Sequence, residues 1–300
     1  MAVLCPCSMA EPSALDRTFA ALEPLIPARF RGDIAVVPVV RLTGVIGIST
    51  PLKPGLTVAS VARSLDRAFN TRKARAVALA INSPGGSAAQ SHLIHRRIRQ
   101  LAGEKQIPVI AFIEDVGASG GYMIACAADE IVCDGSSIVG SIGVVGGSFG
   151  LHKLIEKIGV ERRLYTSGDR KAMLDPFLEE NPEDVKRLKS LQEEIHRSFI
   201  ELVKSRRAGK LNGPEKDLFS GEYWTGNTAK ELGLVDSIGD LRGVLRERYG
   251  DKVRTPLIAD RGLFGRRLPG VLGDLRGAPD LAEDFVSAIE ARAIWARFGL

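Results

Sequence analysis

Apolar and polar positions alternate along the chain in a repeating order of short β-branched runs and helix-spaced stretches. The first run, Ile34 to Ile46, is rich in valine and isoleucine and predicts a strand or strand pair, with Pro38 marking an edge or a bend. Thr57 then caps a predicted helix in which Val58, Val61, Ala62, Leu65 and Phe69 recur at helical spacing. A buried strand follows from Ala76 to Ile81. After the loop Asn82-Ser83-Pro84-Gly85-Gly86-Ser87, the pair Ser87 and Gln90 reads as a capping box for a helix carrying Ile94, Ile98 and Leu101. A third strand, Pro108 to Ile113, leads into Asp115-Val116-Gly117-Ala118-Ser119-Gly120-Gly121-Tyr122 and a buried helix over 122–128.

A β-α-β-loop-α-β-loop-α order calls for parallel strands joined by crossovers, hence an α/β layered fold. Ligands in such folds bind beyond the carboxyl ends of the strands. Both glycine-rich loops, 82–87 and 115–121, leave such ends. Further along, Glu130–Cys133 and Gly140–Val144 read as short strands, 151–158 as a short helix and Val160–Thr166 as another strand. Asn181-Pro182 starts a long amphipathic helix with Val185, Leu188, Ile195, Phe199, Leu202 and Val203 on one face. A short helix and a strand near Leu234-Val235 come next, then a final helix and strand over 241–258. The chain divides into a loosely ordered lead-in over 1–30, a single α/β domain over 31–258 and an amphipathic tail over 259–300. In that tail Leu281, Phe285, Ile289 and Trp295 stand among Arg292 and Arg297. Such a segment packs on its own domain or a partner subunit more often than on lipid, and peripheral membrane contact is the secondary expectation.

Composition narrows the function classes. The 300 residues are 45% hydrophobic and carry a formal charge of +5, with 41 basic against 36 acidic side chains. No basic block is interleaved with aromatics, which argues against nucleic acid as a partner. The four cysteines are too few for a disulfide scaffold, and Cys5-Pro6-Cys7 has no second pair to complete a metal site. No run approaches ~18 apolar residues, and the first residues lack a cationic start followed by an apolar core. The expected location is cytoplasmic. Met9 offers a possible later start.

Ser119 sits where a strand turns into a helix, at the positive end of that helix and among glycines that permit close backbone approach. A serine nucleophile needs a base and donors for an oxyanion. The four histidines, His92, His95, His152 and His196, fall in no recognisable triad context, and His92 with His95 reads as two partly exposed helix residues. Lys171 remains as a base. It requires a pKa brought from ~10.4 toward 7–8, and position alone favours a solvated loop lysine.

The segments INSPGGS (81–87), DVGASGGYMIA (115–125), GSIGV (140–144), SGDRKAMLDPF (167–177) and WTGNTAKELGLVDSIGD (224–240) together resemble the signal peptide peptidase A (protease IV) family of Ser-Lys peptidases. The resemblance spans about Val36 to Tyr249. It implies a ClpP/crotonase-type fold of stacked ββα units and a serine endopeptidase that needs no cofactor or metal. It further implies Ser119 as nucleophile, Lys171 as general base and Ser141 as the hydroxyl that orients the lysine. Gly85, Gly86 and Gly120 become the oxyanion-hole candidates. The substrates implied are short or unfolded apolar peptides, such as signal-peptide remnants, cleaved through an acyl-enzyme on Ser119. Family sites are completed between subunits of a ring or dome, so a homo-oligomer is expected. Two features depart from the family pattern: no N-terminal membrane anchor is evident, and Arg170 stands where an aromatic usually precedes the lysine. A crotonase-type acyl-CoA enzyme and a catalytically silent peptide-binding scaffold share parts of the pattern and remain alternatives.

Overall fold

The β-branched run near the start condenses into β1 (Val39–Thr43), while Val36 and Ile46 beside it make only isolated bridges. The computed structural model describes residues 34–48, 55–168, 170–258, 289 and 291–299. The lead-in over 1–30, with Cys5, Cys7 and Met9, lies outside them, as does most of the 259–300 tail.

Thr57 caps α1 (Val58–Phe69) as expected, and Ser60 completes a capping box with it. After β2 (Val77–Ser83) comes α2 (Ala88–Lys105), whose expected box is only half formed. Ser87 Oγ accepts from Gln90 N–H at 3.4 Å, but the Ser87 N–H is donated to the Ile46 carbonyl and the Gln90 side chain accepts from Val58 N–H. Tertiary contacts have claimed the other two groups. The chain continues through β3 (Val109–Ala118), α3 (Gly120–Ala125), β4 (Glu130–Cys133) and β5 (Ile138–Gly140). Helices α4 (His152–Lys157), α5 (Pro182–Arg206) and α6 (Glu215–Leu218) precede β6 (Tyr223–Thr225). Then come α7 (Gly226–Glu231), β7 (Ser237–Ile238) and α8 (Leu241–Tyr249).

Strands β1, β2, β3, β4 and β7 lie side by side in that order, all parallel. The ten-residue β3 serves two partners: its first half pairs with β4 and its last three residues with β5, which β6 joins antiparallel. Alternation along β2 feeds two cores, since Val77, Leu79 and Ile81 point to one face and Ala78 and Ala80 to the other. Helices α1, α2 and α3 bury the first face. Leu245 of α8 packs on the second. The α/β class expected from the sequence is therefore observed.

Several further expectations need correction. The strand expected over Gly140–Val144 ends at Gly140, where Ser141 turns out of line at φ 53°, and the strand expected before residue 258 makes only isolated bridges, Val36 with Arg254 and Val39 with Leu257. Val160–Thr166 is not a strand but an exposed stretch with no neighbouring edge to pair with, and its Glu161, Arg162 and Arg163 favour solvent. The late strand falls at Ser237–Ile238, because Leu234 and Val235 are buried in the turn before it. On α5 only Phe199 and Val203 of the apolar face are buried, so the amino-terminal half of the helix extends beyond the core.

Candidate active site

The forward half of β3 carries Ser119 to the end of the sheet. Between Ile81 and Ser83 of β2 the register to β3 shifts, and Ser83 faces Gly117. The next residues turn sharply into α3. Ser119 has φ 52° and ψ −122°, a conformation that costs a non-glycine residue about 1–3 kcal/mol unless its surroundings hold it. They do: its N–H is donated to the Gly140 carbonyl at 2.8 Å, and its carbonyl accepts from Met123 N–H at 3.0 Å. Tyr122, wholly buried, anchors α3 by donating its hydroxyl to the Leu234 carbonyl at 2.7 Å.

The 82–87 loop arrives beside this turn. Ile46 N–H is donated to the Gly85 carbonyl and Ser87 N–H to the Ile46 carbonyl, each at 2.8 Å. These bonds use the polar groups on one side of the loop and leave those of Gly86 on the other. Among the described residues neither the Gly86 nor the Gly120 N–H has an acceptor, whereas the Gly85 N–H reaches Ser83 Oγ at 3.3 Å. Gly85 lies directly against the serine: a Cβ there would sit 2.8 Å from Ser119 Cβ.

Ser141 ends β5 as Ser119 ends β3. Its φ is 53°, it is buried, and its N–H is donated to the Glu222 carbonyl at 2.6 Å. His196 of α5 secures the next residue through a 3.0 Å hydrogen bond between Nε2 and the Ile142 carbonyl. Ser119, Gly120, Gly86 and Ser141 then line one cavity of about 430 Å³, walled by Ile195 and Phe199 of α5. The wall residues were visible in the sequence only as an apolar helix face.

Lys171 is not part of that cavity. It lies exposed in the turn after Gly168, whose carbonyl accepts its N–H at 3.2 Å. Arg170 beside it lines a different cavity of about 840 Å³, with Phe149, Val185 and Leu188. The stretch carrying both residues stands off the core and exposes Val145 (71%), Phe149 (82%) and Tyr165 (90%). One chain thus assembles the serine, the glycine loop and Ser141, and leaves the lysine apart.

The other candidate groups are structural. Cys126 and Cys133 are buried free thiols, and burial pushes both up to about 12, which keeps them protonated. His92 is exposed as expected, but His95 is buried, contrary to the sequence reading, with neither ring nitrogen hydrogen-bonded. Among the described residues no group of three His, Cys, Asp or Glu side chains is disposed to hold a metal ion. No described helix is long and apolar enough to cross a membrane.

A serine held in a strained strand-to-helix turn, with unpaired glycine N–H groups beside it, is an arrangement suited to nucleophilic acyl chemistry. Comparison with known proteins gives the class a name. The model of peptidase family S49 matches residues 102–252, half of the chain, and the chain belongs to that family. Its helix-covered parallel sheet is of the α/β class that the sequence resemblance implies. Among relatives, the chloroplastic serine protease SPPA of Arabidopsis thaliana is 37% identical over 57% of this chain and 25% of its own. A protein of Brucella abortus titled Na(+)/H(+) antiporter NhaA is 56% identical over 93% of this chain. A Brucella melitensis protein with the same title is 55% identical over the same share. The chain spans 39% of the length of each of these two relatives.

Proposed function

We propose that this chain is a serine endopeptidase acting through a Ser119–Lys171 dyad shared between neighbouring copies. The observation that carries the reading is the strained Ser119 turn beside the free Gly86 and Gly120 N–H groups. Ser119 Oγ attacks the peptide carbonyl as its proton passes to Nζ of Lys171. The oxyanion is held by the Gly86 and Gly120 N–H groups, with Gly85 shaping the loop behind them. The lysine returns the proton to the departing amine, leaving an acyl-enzyme, and then activates water to release the acid. Ser141 orients the lysine. Because Lys171 lies outside the cavity of its own chain, a second copy must supply it, and the exposed apolar residues around it suit burial in such a contact. Short or unfolded apolar peptides fit a cleft walled by Ile195, Phe199 and Met123.

Hydrolysis of fluorogenic peptides by wild type, Ser119→Ala and Lys171→Ala tests the reading. Each variant alone should be inactive, and mixing the two under conditions of subunit exchange should restore activity, since mixed contacts pair an intact serine with an intact lysine. Full activity in either single variant rules the dyad out. If peptides bind saturably but wild type never turns over, the chain is instead the silent scaffold.

The antiporter title of the Brucella relatives suggests a setting. We assign the titled exchange activity to the three-fifths of those chains outside the match, with the matching portion a peptidase unit joined to a membrane carrier. Co-sedimentation of this chain with membranes in its native cell tests for the same setting here.

A further inference from the structure

The last described residues of the chain return to the cleft that holds Ser119. Residues 291–296 are helical, and Ile294, Arg297 and Phe298 line the same cavity as Ser119 and Ser141. Phe298 meets Tyr223 edge-on, with ring centroids 5.1 Å apart and planes at 66°, and the Tyr223 hydroxyl donates to the Arg297 carbonyl at 3.2 Å. Tyr223 opens β6, and the residue before it, Glu222, accepts the Ser141 N–H. The contact is therefore made on the strand that positions one wall of the site.

The docked segment does not resemble a substrate awaiting cleavage. Residues 291–296 are helical and 297–299 form a turn, so the segment presents no extended peptide bond to a nucleophile. Its hold is also small, since half of residues 291–298 are exposed and, among the described residues, one aromatic pair and one hydrogen bond supply the specific contacts. A weakly held cover over a reactive residue can be exchanged for a ligand of similar chemistry.

We propose that residues 291–298 form a displaceable cap on the Ser119 cleft, an autoinhibitory contact that a peptide must dislodge to reach the serine. Its effect on turnover rests on Ser119 being the nucleophile, but the cap itself does not.

The test separates the two. In the full chain, Ser119→Cys reports access to position 119 whether or not the protein is a peptidase. Its alkylation by iodoacetamide is followed by mass spectrometry, with buried Cys126 and Cys133 as internal markers of an intact fold. Adding Phe298→Ala should speed alkylation at 119 about three- to tenfold, the shift expected from losing one aromatic pair. The two buried cysteines should stay unreactive. Excess free peptide spanning 289–300, with its phenylalanine intact, should slow the reaction again. Equal alkylation rates with and without Phe298 overturn the cap. In the chain that retains Ser119, Phe298→Ala should raise kcat/KM by a similar factor. Faster alkylation with unchanged hydrolysis by an active enzyme overturns the inhibitory role. Faster alkylation in a protein that cleaves no peptide leaves the cap standing and refutes the peptidase reading.

Discussion

Ser119 and Ser141 end adjacent parallel strands at the same level, joined by the 2.8 Å hydrogen bond from Ser119 N–H to the Gly140 carbonyl, and both are held at positive φ (52° and 53°). Two non-glycine residues in that conformation, side by side at the carboxyl edge of a sheet, mark a place where geometry has been favoured over backbone comfort. If Ser141 serves to position the lysine, Ser141→Ala should lower kcat by about 10- to 100-fold, the loss of one buried hydrogen bond to a catalytic group, with little change in KM. Steady-state kinetics on one peptide checks this. An unchanged kcat would leave Ser141 with a packing role alone.

Gly86 carries a second constraint of the same kind. Its φ is 138°, and a Cβ there would run into the carbonyl oxygen of Ile46. Gly86→Ala should therefore cost about 1–3 kcal/mol of stability and displace the free N–H from the cleft, lowering kcat/KM as well. Gly103 in α2 is the control. Nothing lies within 4 Å of a Cβ at that position, so Gly103→Ala should gain about 0.5–1 kcal/mol in denaturant titration and leave activity alone.

Most of this edge was legible before the fold was known. The apolar runs Ala76 to Ile81 and Pro108 to Ile113 announce buried strands, and INSPGGS and DVGASGGY mark the two loops that leave them. What could not be read is where partners lie. Val160–Thr166 has the apolar residues of a strand, but no edge waits for it, and a strand without a ladder is not formed. His95 shows no sign in sequence that α2 will bury it beside the Arg206 guanidinium, which donates to the nearby Cys126 carbonyl at 2.9 Å. Nor does local pattern say that Phe298 will meet Tyr223, since that contact joins residues far apart in the chain.

Arg207 follows α5 and is nearly wholly buried, donating from Nε and Nη2 to the Gly233 carbonyl and from Nη1 to Asp236 at 2.7 Å. Asp236 also accepts from Lys210 and from Ile131 N–H. Burial works to raise the Asp236 carboxyl, but the hydrogen bonds from Arg207, Lys210 and Ile131 prevail and hold it below the ordinary carboxylate range. Removing one partner strands a buried charge, so Asp236→Ala should lower stability by about 3–5 kcal/mol. The Arg163–Glu161 pair, with both side chains about 70% exposed, is the contrast, and Glu161→Ala should change stability by less than about 0.5 kcal/mol. Urea midpoints for the two variants decide the point, and similar losses in both would contradict it.

His95 gives the fold a defined sensitivity to acid. Burial, then the Arg206 guanidinium, then His92 and Arg99 bring its pKa down from 6.5 to about 4. In the unfolded chain the imidazole takes up a proton as pH falls through about 6.5, while the folded protein refuses one until about 4. Above pH 6.5 both states hold it neutral and stability is undiminished. Between 6.5 and 4 the unfolded state binds more protons, so stability must fall with falling pH, by about 3 kcal/mol over the window. Below 4 both states are protonated and this contribution levels off. The decline from pH 7 to pH 5 should amount to about 2 kcal/mol from this residue alone. His95→Leu removes the titrating ring and its two unpaired nitrogens while filling the same apolar space between α2 and α3. Its unfolding free energy should therefore be flatter across that interval than that of the wild type by the same amount. Parallel curves for the two proteins would show that His95 takes up its proton in the folded state by pH 5 and would contradict this account of its burial beside Arg206.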